Sequence, residues 1–236
     1  MVVSLGGAGP SYAIEADSAW DHIDAGAARE RVRAEPPAVV VFGSLALRGT
    51  ATREAVHAVL GASSALRFAD LNLRDTPELQ TLAAMALKLA DWVKVNDEEL
   101  DRLLAWFVCD GPPPTEGPAR RQALAELAAR FGVQRWIVTC AERGWFTLDA
   151  EGRRDAAGAA PTVPQLVDTV GAGDAFSAVV VAGYARQWPL ARSLEGAAQL
   201  AAAVCGVRGA VPEDAAFIEH WRHRLGLGGA PQGSPA

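Results

Sequence analysis

Residues 167–176 read VDTVGAGDAF, and this stretch marks an abrupt change of structure. An apolar segment leads into Gly171, Ala172 and Gly173, after which a helix begins with Asp174 in its first turn. The first N–H groups of a helix have no partner within it, and the helix dipole draws anions to them. Glycine also lets a phosphate approach the backbone closely. We therefore expect a phosphate-binding turn here, with Asp174 beside it as a proton acceptor.

A plainer interpretation of the same stretch is a helix start that has small residues for packing and an acid for the dipole. For a Gly-x-Gly-Asp sequence taken alone, this plainer case is the more frequent one. A dinucleotide-dependent oxidoreductase does not fit, because the third glycine of Gly-x-Gly-x-x-Gly is absent. No acid follows a strand at the spacing that a dinucleotide needs.

Apolar strands and amphipathic helices alternate along the rest of the chain. The pattern predicts strands at residues 10–14, 38–42, 66–73, 92–95 and 134–139 and a hairpin-like segment near 145–148. It predicts helices at residues 53–60, 77–89, 97–107, 119–131, 172–186, 190–204 and 213–225. This alternation indicates a mostly parallel sheet with helices on both faces, a three-layer α/β sandwich whose ligands bind at the carboxyl ends of the strands.

The composition argues against several classes of protein. The 22 basic and 28 acidic residues give a formal charge of −6, so neither nucleic acid nor an anionic membrane is expected as a partner. No apolar stretch reaches the about 20 residues of a membrane-spanning helix. Cys109, Cys140 and Cys205 lack metal-ligand spacing, and the first residues do not resemble a signal peptide, which predicts a cytoplasmic protein. Only Lys88 and Lys94 could supply a lysine for chemistry.

The segment VDTVGAGDAF resembles the C-terminal signature of the ribokinase-like family of sugar kinases, also called the phosphofructokinase-B family. Other segments resemble the fructokinase branch of this family in the same order: FGSLALR at 42–48, FADLNLR at 68–74, WVKVNDEEL at 92–100, IVTCAERGW at 137–145 and CGVRGAVP at 205–212. The resemblance implies a three-layer αβα sandwich. It also implies transfer of a phosphoryl group from ATP to a sugar hydroxyl, with fructose as the leading substrate.

The resemblance assigns the chemistry to the first turn after the glycines. Asp174 matches the base that deprotonates the acceptor hydroxyl, and the backbone of Gly171, Ala172 and Gly173 matches the anion hole for the transferred group. These assignments agree with the physics, because phosphoryl transfer needs positioning and charge neutralisation more than covalent help.

The nucleotide side of the site is also implied by the resemblance. Asn96 and Glu99 match an Asn-x-x-Glu motif associated with Mg²⁺ and phosphate placement. Residues 139–144 match a Thr-x-Gly-x-x-Gly nucleotide turn that begins at Thr139 and ends at Gly144. Ala141 stands where the motif has its first glycine. From the residues alone, Asn96 predicts a helix N-cap with Glu99 three residues on, and Glu99 has a second interpretation as part of an acidic first helical turn.

The substrate side rests on Asp70, Asn72 and Arg74, which alternate along one predicted strand and would therefore share a face. In the family this segment contributes to the substrate and phosphate region, and we expect Arg74 to be the residue that contacts an anionic group. A surface salt bridge is an equally good interpretation of Arg74. The resemblance further allows a monovalent cation, K⁺, near the backbones of Asp168 and Gly209.

The resemblance does not include the beginning of the family's domain. Family members start with a strand, a sugar-binding acid, a Gly-Gly motif and most of a β lid, whereas this sequence starts within the lid; residues 6–9 predict a hairpin turn. We expect residues 1–225 to form an N-terminally truncated domain, about two-thirds to three-quarters of the whole. Residues 226–236 are expected to be a flexible tail. A catalytically silent nucleotide-binding fragment is the alternative function, and a homodimer is left open.

Overall fold

A computed structural model describes residues 2–6, 9–13, 15 and 17–228. The strands are β1 Val2–Gly6, β2 Gly9–Ala13, β3 Val39–Phe42, β4 Leu66–Asp70, β5 Trp92–Asn96, β6 Arg135–Thr139, β7 Trp145–Leu148 and β8 Arg154–Gly158. The helices are α1 Ala25–Ala34, α2 Thr50–Gly61, α3 Leu79–Leu89, α4 Asp97–Phe107, α5 Gly117–Phe131, α6 Ala172–Ala185, α7 Leu190–Val204 and α8 Ala215–Leu225. Short 3₁₀ turns occur at Ala19–Asp21, Ser44–Leu47 and Ala141–Arg143.

Six of the strands form one sheet in the order β3-β4-β5-β6-β7-β8. The first four are parallel, and β7 and β8 continue the sheet antiparallel. Strands β1 and β2 pair antiparallel in a second sheet with Gly6 opposite Gly9, in agreement with the predicted hairpin; residues 7 and 8 of its turn lie outside the described residues. So do residue 14 of the first predicted strand and residues 229–236 of the predicted tail.

Helices cover both faces of the six-stranded sheet, which confirms the three-layer sandwich. On β4, Phe68 packs in one apolar cluster with α6 and α7, while its neighbour Ala69 packs in another with α3, α4 and α5. Both residues are fully buried, as expected for a strand with a layer on each side. No helix in the described part of the chain is both long and apolar enough to cross a membrane.

Three elements differ from the sequence-based predictions. Helix α1 has no buried residue, so it lacks the apolar stripe by which a helix is recognised. Strand β8 is largely exposed and its pairing with β7 is irregular, which obscures the alternation of a strand. Strand β4 ends at Asp70, whereas the predicted strand continued to residue 73. The remaining helices and strands lie at the predicted places, with ends that differ by a few residues.

Candidate active site

The glycine turn forms the start of α6, as predicted, but its two glycines are needed for different reasons. Gly171 is the N-cap with φ +84°, and a Cβ there would lie 2.6 Å from Cα of Ala210. Gly173 has ordinary helical backbone, and a Cβ there would lie 3.0 Å from Nζ of Lys94. Packing against backbone therefore requires glycine at residue 171, whereas at residue 173 a side chain would press on the end of Lys94.

The first turn of α6 presents unpaired backbone donors. The N–H of Ala172 donates to the carbonyl of Thr169 at 3.3 Å, and the N–H of Ala175 closes the first helical bond to Gly171 at 2.8 Å. Between them, the N–H groups of Gly173 and Asp174 have no backbone acceptor among the described residues. Two free amides at the positive end of a helix form the local geometry of an anion hole.

Asp174 is exposed and lines a cavity of about 330 Å³. The other walls of this cavity come from the carboxyl ends of β3 and β4 and the segment after β4, including Gly43, Asp70, Asn72 and Arg74. The sheet topology therefore brings the proposed base and the proposed substrate residues to one crevice, at the edge where parallel sheets bind their ligands.

Asp70, Asn72 and Arg74 line one cavity, but not for the reason that the sequence predicted. They do not alternate along one strand, because β4 ends at Asp70 and the backbone of Asn72 is left-handed with φ +40°. The segment after β4 curls over the strand ends instead. The N–H of Leu71 still donates to the carbonyl of Lys94 at 3.1 Å, which is the last bond between β4 and β5, and the chain leaves the strand at Asn72.

Asn96 and Glu99 form a capping box at the start of α4, as predicted. The Asn96 side chain accepts from the N–H of Glu99 at 2.7 Å, and Glu99 Oε2 accepts from the N–H of Asn96 at 2.9 Å. Glu99 Oε1 accepts a further bond, at 2.6 Å, from the N–H of Leu73. Glu99 is only 8% exposed, so its carboxylate ties the segment that carries Arg74 to the start of α4.

The turn of residues 139–144 lies beside this cap, since Thr139 is the register partner of Asn96. Ala141 has φ +47°, a left-handed conformation that glycine adopts more easily. This conformation explains why the motif that the turn resembles has glycine where this chain has Ala141. Gly144 has φ +93°, and a Cβ there would lie 2.0 Å from the carbonyl oxygen of Gly158. Arg143 in the turn forms an ion pair with Asp97 at the start of α4, which connects the two segments.

Asp168 and Gly209 are also in contact. The N–H of Val170 donates to Asp168 Oδ1 at 3.0 Å, and the N–H of Gly209 donates to Oδ2 at 3.1 Å. These backbone donors stabilise the ionised carboxylate and hold the pKa of Asp168 below its usual range. The carboxylate thus joins the segment before α6 to the segment after α7, on the side of the turn where Ala210 contacts Gly171.

Sequence analysis missed a buried polar cluster beneath the turn. Lys94 Nζ lies 3.2 and 3.3 Å from the two carboxylate oxygens of Asp70, and Ser177 Oγ donates to Asp70 Oδ2 at 2.7 Å. The available signal was a lysine in the middle of the apolar strand WVKVN, in a chain that has only two lysines. Its partner on α6 is distant in sequence and could not be identified from a local pattern.

Comparison with known proteins agrees with this geometry. The sequence matches the pfkB family carbohydrate kinase over residues 25–215. No curated protein matches the chain significantly in sequence. Similar solved structures include aminoimidazole riboside kinase from Salmonella enterica, complexed with aminoimidazole riboside and an ATP analogue, at 22% identity and TM-score 0.65 over 92% of this chain.

Two further structures are similar in fold. A sugar kinase from Pyrococcus horikoshii in complex with ATP is 25% identical, with a TM-score of 0.66 over 88% of this chain. Adenosine kinase from Sinorhizobium meliloti is 19% identical, with a TM-score of 0.64 over 88% of this chain. The present chain spans 70%, 64% and 59% of the Salmonella, Pyrococcus and Sinorhizobium proteins, respectively.

The family match covers most of the chain, including the start of α4 and the glycine turn, and the fold agrees with it independently. This chain belongs to the pfkB family of carbohydrate kinases.

Proposed function

We propose that this chain catalyses ATP-dependent phosphoryl transfer to a sugar hydroxyl, with fructose as the leading acceptor. The observation that carries the proposal is the position of Asp174. Its carboxylate is exposed to a cavity of about 330 Å³ and belongs to the same helical turn as two unpaired backbone N–H groups. A proton acceptor and an anion site are thus adjacent, as the reaction requires.

In the proposed reaction, the oxygen of the acceptor hydroxyl attacks the γ-phosphorus of ATP, and Asp174 takes the proton of that hydroxyl. The bond from the γ-phosphorus to the bridging oxygen breaks, and ADP leaves with that oxygen. The N–H groups of Gly173 and Asp174 stabilise the negative charge on the phosphoryl oxygens during transfer. Asn72 and Arg74 line the same cavity and are proposed to orient the acceptor and an anionic group.

The nucleotide base is proposed to contact two exposed apolar side chains near the glycine turn, Leu166 and Val211. Leu166 and Val211 are 67% and 73% exposed, which is high for side chains of this size. Val211 follows Ala210, whose backbone contacts Gly171, and Leu166 lies shortly before the turn in sequence. The phosphates of ATP are proposed to lie near the amides of α6. Thr139, Ala141 and Gly144 are proposed to complete the nucleotide side.

Mg²⁺ is proposed to act from the side of Asn96 and Glu99. Both Glu99 oxygens already accept backbone hydrogen bonds, so these residues fit a contact through water better than direct coordination. Among the residues that the structure describes, no group of three or more His, Cys, Asp or Glu could hold a metal. When bound, Mg²⁺ would neutralise charge on the phosphates. A K⁺ ion is proposed near the backbones of Asp168 and Gly209, which are brought together by the bond from the N–H of Gly209 to Asp168 Oδ2.

The test of this proposal is the substitution Asp174→Asn. Loss of the base should lower turnover by on the order of 10²–10⁴ and leave ATP affinity nearly unchanged. Turnover is followed by a coupled ADP assay with fructose, ribose and adenosine as acceptors, and affinity by calorimetry. Asp110→Asn, in an exposed loop, is the matched control and should behave as wild type. Near-normal turnover of Asp174→Asn would disprove the assignment of the base.

A catalytically silent nucleotide-binding protein is the alternative, and the same measurements distinguish it. Wild-type protein that binds ATP and transfers phosphate to none of the acceptors supports the alternative. Wild-type protein that binds no ATP contradicts both functions. The homodimer and the cytoplasmic location stay predictions.

A further inference from the structure

We infer that Lys94 is a positioning residue of the proposed active site: its buried ammonium group supports the first turn of α6 and contributes positive charge to the phosphate site above it. This inference rests on the proposed function. It starts from a side chain that neither the family motifs nor the sequence analysis assigned to a role.

Lys94 lies directly beneath the glycine turn. Its side chain is 9% exposed, and Nζ lies 3.0 Å from the point where a Cβ on Gly173 would stand. A methyl group at residue 173 would therefore displace the ammonium group by a few tenths of an ångström. Gly173 supplies one of the two unpaired amides, so the charge of Lys94 lies next to the backbone that would bind a phosphoryl group.

The counter-ion does not use all of the bonding capacity of Lys94. An ammonium group has three N–H donors, and in the described part of the chain only the two oxygens of Asp70 lie within reach of them. Those contacts, at 3.2 and 3.3 Å, are longer than the about 2.7–2.9 Å of a strong charged hydrogen bond. The shortest bond to Asp70 comes from Ser177 instead, at 2.7 Å.

Compensation of the Asp70 carboxylate is one of two effects of the Lys94 charge. This carboxylate lines the cavity that Asp174 faces, so without compensation it would repel an incoming phosphate. Lys94 neutralises it from below, and Ser177 joins it to α6 one turn beyond Gly173. The cluster of Asp70, Lys94 and Ser177 therefore joins the second turn of α6 to the end of β4 and the middle of β5. In a site of low dielectric, a buried charge acts strongly on a nearby anion.

The first experiment compares ATP with AMP, because only ATP carries the phosphates that would lie near Gly173. We expect Lys94→Met to weaken ATP binding by about tenfold and AMP binding by less than about twofold, measured by calorimetry with Mg²⁺ and no acceptor. Lys88→Met is the matched control: it removes the only other lysine, which is exposed at the end of α3, and should leave both affinities unchanged. Equal weakening of ATP and AMP would indicate a merely structural role and overturn the inference.

A second variant separates the two roles of the charge. The double substitution Asp70→Asn with Lys94→Met removes both charges, so it should recover much of the thermal stability that Lys94→Met loses. ATP affinity should recover only in part in the double variant, because the repulsion by Asp70 is gone but the positive charge under Gly173 is still missing. Recovery of wild-type ATP affinity would show that Lys94 does no more than neutralise Asp70, and would overturn the inference.

A third measurement does not depend on the proposed function. Gly173→Ala pushes a methyl group against Nζ of Lys94, so it should destabilise the wild type more than it destabilises Lys94→Met. Equal destabilisation in both backgrounds, measured by urea unfolding, would contradict the contact and the inference with it. Wild-type protein that binds no ATP would contradict the proposed function instead, and the unfolding result would then decide the supporting role of Lys94 alone.

Discussion

The backbone N–H of Leu73 donates a 2.6 Å hydrogen bond to Oε1 of Glu99. Since Oε2 of the same carboxylate accepts from the N–H of Asn96, one buried side chain holds two separate backbone segments together. One of these segments carries Arg74 to the cavity, and the other begins α4. Glu99 therefore has a structural role that is independent of any metal or phosphate.

Replacement of Glu99 by alanine should consequently destabilise the fold as well as the site. The N–H groups of Leu73 and Asn96, which are only partly shielded from water, would lose their acceptor, and each lost bond costs about 0.5–1.5 kcal/mol. Urea unfolding checks this, with Glu98→Ala, the exposed neighbour in the same helical turn, as the control. If both variants were equally stable, the link between Glu99 and Leu73 would be unimportant for stability.

Replacement of Ala141 by glycine should stabilise the protein. Ala141 has φ +47°, where alanine is strained and glycine is not. Part of this benefit is lost because glycine has a greater conformational entropy in the unfolded chain, so the free energy of unfolding should rise by about 0.5–1 kcal/mol. Ala105→Gly, at an exposed position inside α4, is the opposite-sign control and should destabilise by about 1 kcal/mol. A loss of stability in Ala141→Gly would contradict the left-handed conformation of this turn.

Replacement of Gly171 by alanine should be more harmful than the same change at Gly132. Both glycines have positive φ, +84° and +69°, so each substitution introduces backbone strain of about 1–2 kcal/mol. Only at Gly171 does the new Cβ collide with another backbone, 2.6 Å from Cα of Ala210, which adds about 1–3 kcal/mol. Unfolding measurements on the two variants compare these losses, and ATP calorimetry should show weakened binding for Gly171→Ala alone.

The contribution of Asp168 to stability should depend on pH. Backbone donors from Val170 and Gly209 lower its pKa in the folded protein, so folding favours the ionised form. The resulting stability is complete above the pKa of an unfolded aspartate, about 4, and is lost as the pH falls through the lower folded value.

This dependence can be measured with Asp168→Asn. The difference in unfolding midpoint between wild type and Asp168→Asn should be constant from about pH 5 to 7 and shrink below about pH 4. A difference that instead grew on acidification would mean that the protonated form is favoured in the folded protein, against the observed hydrogen bonds.

Much of the fold could be predicted from sequence because its signals are local. The capping box at Asn96 and Glu99 is encoded by residues three apart, and the structure shows both of its hydrogen bonds. The glycine turn and the first-turn position of Asp174 are likewise properties of a few adjacent residues. Apolar strands alternating with amphipathic helices were sufficient for the three-layer sandwich, since strands buried on both faces need helices on both sides.

Predictions failed where the local signal was weak or a contact overruled it. Helix α1 has no buried face, and β8 is exposed and irregular, so neither shows a clear period. The stretch LRFADLNL has the composition of one strand, but the left-handed backbone of Asn72 and the bond from the N–H of Leu73 to Glu99 turn its last residues away from the sheet. Asp70, Asn72 and Arg74 therefore meet at the cavity through the curl of a loop, not through strand alternation.

The sequence by itself thus determined the layered sheet, the cap of α4 and the turn that begins α6, because each depends on neighbours along the chain. Only the tertiary structure decided what a side chain at Gly173 would meet, namely the ammonium group of Lys94. The packing of α6 over β5 places Lys94 beneath it and brings Ser177 to Asp70, across 107 residues of sequence. No periodicity records such a contact, since it depends on where two elements cross and not on the residues within either one.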